Sequence, residues 1–305
     1  MSPQVSTQEI VDFYEPKTQA LLKRYGPGPR VHYHTGLVDE SLRAFSLATE
    51  SELRQQIVSA QERMLQFAAS VWDARSTLCG DVLDVGCGLG GGSLFWAQEF
   101  GAQVTAVTCV PSQVQWVDRF AEQAGVSRQV QPVLCDAVTM PGENCFDTAV
   151  AIESCCHMPR RELFQRLAVL LRPGGRLFIA DCFLGHSDYQ EPFDCYWHTR
   201  IGSIEEYICA ARESGFREES IEDTSSRTVH FWTMTLNLIQ AETQNKRLSD
   251  DERKKHERSL QEHARLRQGL ANGGLRYALL SFVQEKQPLH YQDRRRTVCL
   301  SGAGA

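Results

Sequence analysis

The sequence predicts an α/β fold built around a parallel sheet. Short apolar runs alternate along the chain with segments of helical periodicity, which is the order of β-α-β units. One of these runs, residues 82–85, leads directly into a glycine-rich turn at residues 86–92 and then into a helix beginning near Ser93. Glycines in such a turn let a ligand lie against bare backbone. The sequence therefore indicates a nucleotide-binding corner within the sheet.

Five buried strands alternate with helices between residues 82 and 183. The strands are predicted at residues 82–85, 102–109, 130–135, 146–152 and 176–183. The helices between them are predicted at residues 95–100, 111–124 and 161–171. The second helix begins with Pro111, a favoured first helical residue. This alternation implies parallel strands joined by right-handed crossovers.

The rest of the chain is predicted to be mostly helical, with a hard break at Gly26-Pro-Gly-Pro29. Further helices are predicted at residues 7–25, 39–73, 203–215 and 231–267. The predicted regions are a helical N-terminal cap at residues 1–75, a core domain at residues 76–290 with a helical insertion at about 185–270, and a polar tail at residues 291–305.

Polar side chains lie near the carboxyl end of each of the five strands. They are Asp84, Thr108, Asp136, Glu153 and Asp181. Ligands in such sheets bind at the carboxyl ends of the strands, so these side chains are expected to border one crevice. For Asp136 and Asp181, an ordinary role as a turn or helix-capping residue stays open.

Residues 80–185 resemble the class I S-adenosylmethionine (SAM) methyltransferases. The segments that carry the resemblance are VLDVGCGLGGG, VTAVTCVPSQVQ, CDAVTMP, FDTAVAIESCCHM and LLRPGGRLFIAD. The resemblance implies a Rossmann-like seven-stranded methyltransferase sheet with a helical N-terminal cap and an inserted helical lid, in which residues 275–282 form the antiparallel last strand. It also implies SAM as the cofactor, whereas dinucleotide-binding turns have the spacing G-x-G-x-x-G.

The resemblance assigns cofactor-binding roles to single residues. It implies that Asp84, Gly86 and Gly88 line the methionine end of SAM. It further implies that Asp136 and the backbone of Ala137 hold the adenine. A carboxylate at position 84 also suits an ammonium group, because an ionised carboxylate only accepts hydrogen bonds.

Three further residues are expected to bind the ribose or to close over the cofactor. Thr108 stands where many members of the family have an acidic residue for the ribose diol. A single hydroxyl cannot accept both hydrogen bonds of a diol, and Gln113 is expected to compensate. Tyr33, within the segment VHYHTG, resembles the aromatic clamp that these enzymes fold over SAM.

The segment ESCCHMP, residues 153–159, indicates a small-molecule subgroup of the family. It is similar to a pattern in γ-tocopherol methyltransferase and the rebeccamycin sugar O-methyltransferase, and geranyl diphosphate C-methyltransferase has a glutamate at the same point. Glu153 and His157 are therefore the candidate catalytic residues, and Glu153 is also a candidate cofactor-binding residue. His157 suits the base of an O- or N-methylation, whereas Glu153 suits the cation and final proton of a C-methylation. In the alternative, Glu153 binds only SAM or backbone and His157 satisfies a helix N-terminus.

Aromatic residues outside the strands predict an apolar acceptor site. They are Tyr14, His32, Tyr33, His34, Tyr196, Trp197, Phe231 and Trp232. Such a site suits a prenyl-like molecule and can stabilise a carbocation. We therefore expect a SAM-dependent methyltransferase of a small, largely apolar natural product, with C-methylation of an isoprenoid such as a prenyl diphosphate as one reading and O- or N-methylation of a phenol, sugar or amine as the other. A SAM-fold cyclase and a non-catalytic SAM-binding subunit are further alternatives.

Composition limits the partners. The net charge of −6 over 305 residues argues against nucleic acid as the main partner. No apolar run approaches the ~20 residues needed to span a bilayer, so a cytoplasmic protein with a small-molecule substrate is expected. A homo-oligomer is left open. Several of the eleven cysteines fall in predicted buried strands and none forms Cys-x-x-Cys, so no metal is expected.

Overall fold

The computed structural model describes residues 6–38, 48–244 and 249–285. Within these ranges the chain forms one seven-stranded sheet. Its strands are β1 (Asp81–Val85), β2 (Gln103–Thr108), β3 (Val130–Leu134), β4 (Phe146–Ile152), β5 (Leu171–Leu184), β6 (Phe216–Asp223) and β7 (Leu275–Gln284). The order across the sheet is β3-β2-β1-β4-β5-β7-β6. Strands β1 to β5 are parallel, and β7 is antiparallel to both β5 and β6. The predicted fold class is confirmed.

The central strands are buried on both faces because successive side chains of a strand point to opposite sides. In β1, Val82 belongs to one hydrophobic layer and Leu83 to the other, and neither is exposed. In β5, Phe178 and Ile179 divide between the same two layers. This arrangement explains why the strands appear in the sequence as nearly continuous apolar runs.

Eleven α-helices surround the sheet within the described ranges. They are α1 (Thr7–Tyr14), α2 (Thr18–Tyr25), α3 (Glu50–Val71), α4 (Ala74–Thr77), α5 (Gly91–Phe100), α6 (Pro111–Gln123), α7 (Arg160–Leu170), α8 (Gln190–Trp197), α9 (Ile204–Glu213), α10 (Ser225–Gln244) and α11 (Asp250–Asn272). Helix α10 packs on α3 and α11, and α11 also packs on β7 and α8. None of the described helices is both long enough and apolar enough to cross a bilayer.

Two helices predicted as continuous are each divided in two. The segment 7–25 forms α1 and α2, and the division falls beside Pro16, which has no N–H to donate to a helix. The segment 231–267 forms parts of α10 and α11, and α11 begins with a capping box in which Ser249 and Glu252 hydrogen-bond each other's backbone. Periodicity alone did not reveal either boundary.

Two predicted segments extend outside the described residues. The helix predicted at 39–73 is α3, which begins with a capping box between Thr49 and Glu52, and residues 39–47 are outside the description. The polar tail predicted at residues 291–305 also lies outside the described residues.

Strand β6 was not predicted from the sequence. Its residues, FREESIED, include four carboxylates and one arginine, and only Phe216 is buried. It pairs with β7 at the edge of the sheet, where charged residues are typical because they discourage pairing with other chains. Strand β6 lies between α9 and α10, so the segment between β5 and β7 contributes to the sheet as well as to the helices.

The strand order reverses between β1 and β4, and this is where a crevice opens at the carboxyl ends of the strands. Helix α1 lies over this crevice, because the Thr7 hydroxyl donates to Asp136 Oδ2 at 2.5 Å. Glu15, just after α1, accepts hydrogen bonds from the backbone N–H of Ser112 at 3.1 Å and from its hydroxyl at 3.0 Å. The N-terminal segment is thereby attached to the residue Asp136, which follows β3, and to the first turn of α6, which follows β2.

Candidate functional site

Two glycines in the turn after β1 have different roles. Gly86 allows close packing of the protein, and Gly88 leaves space for a ligand. Both Gly86 (φ 72°) and Gly88 (φ 54°) have left-handed backbone conformations that favour glycine. A Cβ at Gly86 would lie 2.6 Å from Ser154 Cβ. This glycine therefore allows the loop that follows β1 to approach the loop that follows β4. A Cβ at Gly88 would meet nothing within 4 Å, and Gly88 lines the cavity described next.

All the residues predicted to bind the cofactor or to act in catalysis line one cavity, which we call the strand-end crevice. They are Tyr33, Asp84, Gly86, Gly88, Thr108, Gln113, Asp136, Ala137, Glu153 and His157. The crevice has a volume of about 150 Å³. The structure thus brings together groups from four strand ends and from the N-terminal cap.

Asp84 is a buried carboxyl group at the end of β1. The hydroxyl of Ser93, in the first turn of α5, donates to its Oδ2 at 2.5 Å. Burial raises the pKa of Asp84 to about 6, and the hydrogen bond from Ser93 opposes this rise. A cation bound beside Asp84 would lower the pKa again, which is the electrostatic basis for holding an ammonium group there.

The residues expected from the sequence to hold the ribose and the adenine form hydrogen bonds with neighbouring protein groups. The Thr108 hydroxyl donates to Gln113 Oε1 at 2.7 Å, which places Gln113 beside Thr108. The Gln113 amide N–H groups remain available as donors to a diol oxygen. Asp136 Oδ1 accepts the backbone N–H of Val138 at 2.9 Å, and Ala137 is buried.

Glu153 is held in an unusual backbone conformation at the end of β4. Its φ of 49° is rare for a residue with a side chain, and its N–H donates to the carbonyl of Ala180. Its Oε1 accepts the backbone N–H of Thr35 at 2.5 Å and the hydroxyl of Tyr277 at 2.8 Å. Burial raises the pKa of the Glu153 carboxyl, while these hydrogen bonds act in the opposite direction. Neither Thr35 nor Tyr277 was predicted to bond Glu153: within the segment VHYHTG only Tyr33 was assigned a site role, and no local motif marks Tyr277.

His157 forms a hydrogen-bonded chain with the N-terminal cap. Its Nδ1 is 3.0 Å from the carbonyl oxygen of His198, which can only accept, so Nδ1 carries the proton. Nε2 is then the acceptor for the hydroxyl of Tyr14 at 3.0 Å. Burial lowers the pKa of His157 to about 4, so the ring is neutral at physiological pH.

A second, larger cavity adjoins the strand-end crevice, and we call it the aromatic cavity. Its volume is about 470 Å³. Seven of the eight residues predicted for an acceptor site line it, namely Tyr14, Tyr33, His34, Tyr196, Trp197, Phe231 and Trp232. His32 does not, because its Nε2 is tied to Glu62 at 2.7 Å and the residue lines the strand-end crevice instead. Tyr277 and Phe193 line the aromatic cavity without having been predicted.

Asp181, at the end of β5, lines the aromatic cavity close to Glu153. It accepts backbone N–H groups of Cys182 at 2.8 Å and Cys156 at 3.3 Å. Burial, followed by the charge of Glu153, raises the pKa of Asp181 to about 7. The sequence marked Asp181 only as a polar strand end, so the electrostatic influence of Glu153 on it is a finding of the structure.

Acidic and basic side chains line different walls of the aromatic cavity. The strand ends contribute the carboxyl groups of Glu153 and Asp181. The helical wall contributes five cations, which we call the roof cations: Lys17, Lys23, Arg24, Arg54 and Lys255. One acidic residue, Glu242, also lines this wall, and it forms ion pairs with Arg24 and Arg54. The helical wall therefore keeps a positive balance.

Residues 82–175 match the family model described as a methyltransferase domain. This stretch of the chain is therefore a methyltransferase domain. The match covers the glycine-rich turn and strands β1 to β4, which border the strand-end crevice. The cofactor of this class is SAM, which confirms the cofactor predicted from the sequence.

The crevice fits SAM by its own features. The missing Cβ of Gly88 leaves open space against the backbone, Asp84 offers a buried carboxylate, and Thr108 with Gln113 offers polar groups. Among the described residues, no group of three or more His, Cys, Asp or Glu side chains is arranged to hold a metal ion.

Individual relatives show the same class of domain. The chain is 34% identical over 161 residues to 27-O-demethylrifamycin SV methyltransferase of Amycolatopsis mediterranei (strain S699), covering 50% of this chain and 59% of that protein. It is 29% identical over 216 residues to the probable chloroplastic tocopherol O-methyltransferase of Oryza sativa subsp. japonica, covering 66% of this chain and 58% of that protein. The chain thus spans less than two thirds of the length of these relatives.

The fold is also found in a solved structure. Geranyl diphosphate C-methyltransferase from Streptomyces coelicolor A3(2), in complex with Mg²⁺, geranyl-S-thiolodiphosphate and S-adenosyl-L-homocysteine, superposes with a TM-score of 0.75. The two chains are 17% identical, and the similarity covers 93% of this chain and 99% of the other. At this identity the comparison establishes the shared fold.

Proposed function

We propose that this protein is a SAM-dependent methyltransferase that methylates a carbon atom of a small isoprenoid with an anionic head group. The observation that carries the proposal is the junction between the two cavities. Six residues line both of them: Tyr14, Leu21, Tyr33, His34, Glu153 and His157. A molecule in the aromatic cavity would therefore meet the cofactor at a boundary that contains the carboxyl group of Glu153.

The shape and charge of the aromatic cavity support an amphiphilic acceptor. Its lining includes nine phenylalanine, tryptophan and tyrosine side chains, and its volume of about 470 Å³ is within the range of small-molecule sites. The roof cations provide positive charge on the helical side, opposite the carboxyl groups of Glu153 and Asp181. A phosphate or diphosphate group suits the cations, and an apolar chain suits the rings between the two walls.

The chemistry at the junction suits an alkene acceptor. SAM supplies an electrophilic methyl group. Methylation of an alkene leaves a carbocation, which a nearby negative charge and aromatic faces stabilise. Glu153 provides the charge and can accept the final proton, because Tyr277 and Thr35 fix its carboxyl group at the end of β4. Most of the rate would come from positioning and exclusion of water.

One observation favours O- or N-methylation instead, namely the hydrogen bond between Tyr14 and His157 at the junction. An unprotonated imidazole can remove a proton from a hydroxyl or amine. However, the lone pair of Nε2 already accepts the Tyr14 hydroxyl, and burial lowers the pKa of His157 to about 4, which makes it a weak base. Both facts support the carbon acceptor over this second candidate.

The experiment is a product analysis with SAM that carries a deuterated methyl group. The full chain is incubated separately with geranyl diphosphate, farnesyl diphosphate, a phenol panel and an amine panel, each with and without Mg²⁺. The expected result is a gain of one labelled methyl group on a carbon atom of a prenyl diphosphate, located by mass spectrometry and NMR.

The other outcomes identify the alternatives. Labelled methyl on oxygen or nitrogen only would support the second candidate and overturn the first. An isomer of the acceptor without a methyl group would support a cyclase. Binding of S-adenosylhomocysteine without turnover of any acceptor would support a non-catalytic binding protein.

A further inference from the structure

His263 is a buried histidine that the proposed reaction does not use. It belongs to α11, is only 6% exposed and lines the aromatic cavity. Three aromatic side chains surround its ring, with centroid distances of 5.9 Å to Tyr196, 5.3 Å to Trp197 and 5.4 Å to Trp232. A polar ring at the centre of an aromatic wall needs a physical explanation, because apolar residues would fill the same space.

The hydrogen bonds of His263 fix which nitrogen carries the proton. Nδ1 lies 2.7 Å from the carbonyl oxygen of Ser259, one turn earlier in α11. A carbonyl oxygen can only accept, so Nδ1 is the N–H and Nε2 keeps its lone pair. Among the residues that the structure describes, Nε2 has no hydrogen-bond partner. Burial lowers the pKa of His263 to about 4, so the ring stays neutral and Nε2 remains an acceptor.

We propose that His263 and the three rings form a specificity subsite that accepts a hydrogen bond from an O–H or N–H group on the apolar part of the acceptor molecule. The inference rests on the proposed function only in that it treats the aromatic cavity as the acceptor site. It adds a preference to that function: an acceptor with a donor group at a distance from its anionic head group binds more tightly than a pure hydrocarbon chain of similar shape.

The physical reason is the cost of leaving the lone pair unpaired. When an occupant displaces water from the cavity, Nε2 either accepts a new hydrogen bond or loses the one it made with water. An acceptor without a donor group leaves Nε2 buried and unsatisfied, whereas one with a hydroxyl or N–H group does not. A subsite of this kind favours the molecule that carries the donor over the analogue that lacks it.

The position of His263 makes it suited to this selection. It lies on α11, whereas Glu153 lies at the end of β4, so the two residues approach an occupant from different walls of the cavity. The backbone carbonyl of Ser259 and the surrounding rings hold the imidazole in one orientation. A fixed acceptor atom can discriminate between molecules of the same shape.

The test uses two probes with the same ring system: 2-naphthol, which carries a hydroxyl donor, and 2-methoxynaphthalene, in which a methyl group replaces the hydroxyl hydrogen. Their dissociation constants are measured by calorimetry on the full chain saturated with S-adenosylhomocysteine. Wild-type protein is expected to bind 2-naphthol at least about tenfold more tightly than 2-methoxynaphthalene, since one buried hydrogen bond is at stake. His263→Phe keeps a ring in place and is expected to abolish the preference. His263→Gln, which retains an acceptor oxygen, is expected to restore part of it.

A matched control is His256→Phe, two turns earlier on α11 and also lining the cavity. This variant is expected to keep the preference of the wild type. The proposal is overturned if wild-type protein binds the two probes equally or binds neither, or if His263→Phe retains the preference. Affinity for S-adenosylhomocysteine is measured on the same samples, and its loss would count against the cofactor site rather than against this subsite.

Discussion

The strand-end crevice and the aromatic cavity share six residues but are built in different ways. The crevice is formed largely by one stretch of chain, from Asp84 to Glu153, in which each strand ends beside the next. The aromatic cavity takes its walls from α2, α3, α8, α10 and α11 and from the ends of β5 and β7. These elements are spread along more than 200 residues of sequence.

This difference explains why one region was recognisable and the other was not. Positive φ values at Gly86 and Gly88 require glycine, so the turn leaves a fixed pattern in the sequence. The aromatic cavity depends on side chains that only need to be large and apolar, and many residues at many positions satisfy that condition. We expect substitution of the crevice glycines to impair cofactor binding. We expect the side chains of the aromatic cavity to determine which molecule reacts.

The largest effect is expected from filling the crevice. Gly88→Asn adds a side chain where nothing lies within 4 Å, and asparagine tolerates the left-handed conformation better than most residues. Affinity for S-adenosylhomocysteine is expected to fall by about 10² or more while the melting temperature changes little. Calorimetry and thermal unfolding measure the two quantities.

The control is Gly174→Asn, which has φ 82° and also has nothing within 4 Å but lines neither cavity. It should bind S-adenosylhomocysteine as the wild type does. Equal loss in both variants would show that backbone strain, and not occupied space, is responsible.

The next effect is expected at the junction of the two regions. Glu153→Gln keeps the shape of the side chain and removes its charge, so turnover at saturating SAM should fall by about 10² to 10³. His157→Ala should lower turnover by less than about tenfold, because its Nε2 is engaged by Tyr14 and it is a weak base. Affinity for S-adenosylhomocysteine, measured in parallel, should stay within a few-fold in both variants. A larger loss in His157→Ala than in Glu153→Gln would support O- or N-methylation.

A smaller effect is expected from removing helix α1, whose Tyr14 lines both cavities. Deleting residues 1–16 removes α1 and its hydrogen bonds to Asp136, Ser112 and His157, while α2 is kept. Turnover should fall by about 10- to 100-fold because water enters the junction, and cofactor affinity should fall less. Steady-state kinetics and calorimetry test this. Unchanged kinetics in the shortened chain would show that α1 has no part in closure.

The smallest effect is expected on how the unfolding free energy depends on pH. Each region contains one buried aspartate that contributes, Asp84 in the strand-end crevice and Asp181 in the aromatic cavity. The pKa of Asp181 is raised to about 7 and that of Asp84 to about 6, both above the ordinary value of 3.8, mainly by burial. Between 3.8 and these values the folded state binds a proton that the unfolded state has lost. The unfolding free energy should therefore fall as pH rises through this window and level off above it.

Asparagine variants separate the two contributions. Asp181→Asn removes the titration, so its unfolding free energy relative to the wild type should rise by on the order of 2–4 kcal/mol between pH 4 and pH 7. For Asp84→Asn the rise should be smaller and should end near pH 6. Urea unfolding at several pH values measures both. A relative stability that does not change with pH would show that these groups are not perturbed by burial.

The alternation of strands and helices between residues 82 and 183 was determined by the sequence, and so was the set of residues that line the strand-end crevice. Strand β6 was missed because an exposed edge strand with four carboxylates has little hydrophobic pattern. The divisions between α1 and α2 and between α10 and α11 were missed because helical periodicity continued across them. Local signals did exist there, in Pro16 and in the capping box at Ser249.

The sequence by itself determined what a single stretch of backbone can encode: parallel strands, a turn that only glycine permits, and polar residues at strand ends. Only the tertiary structure decided which distant side chains meet. Tyr277 bonds Glu153, Tyr14 bonds His157, and the rings around His263 come from α8 and α10, all through pairings of segments that are far apart in the chain. Such contacts follow from packing of the whole chain and leave no fixed spacing in the sequence.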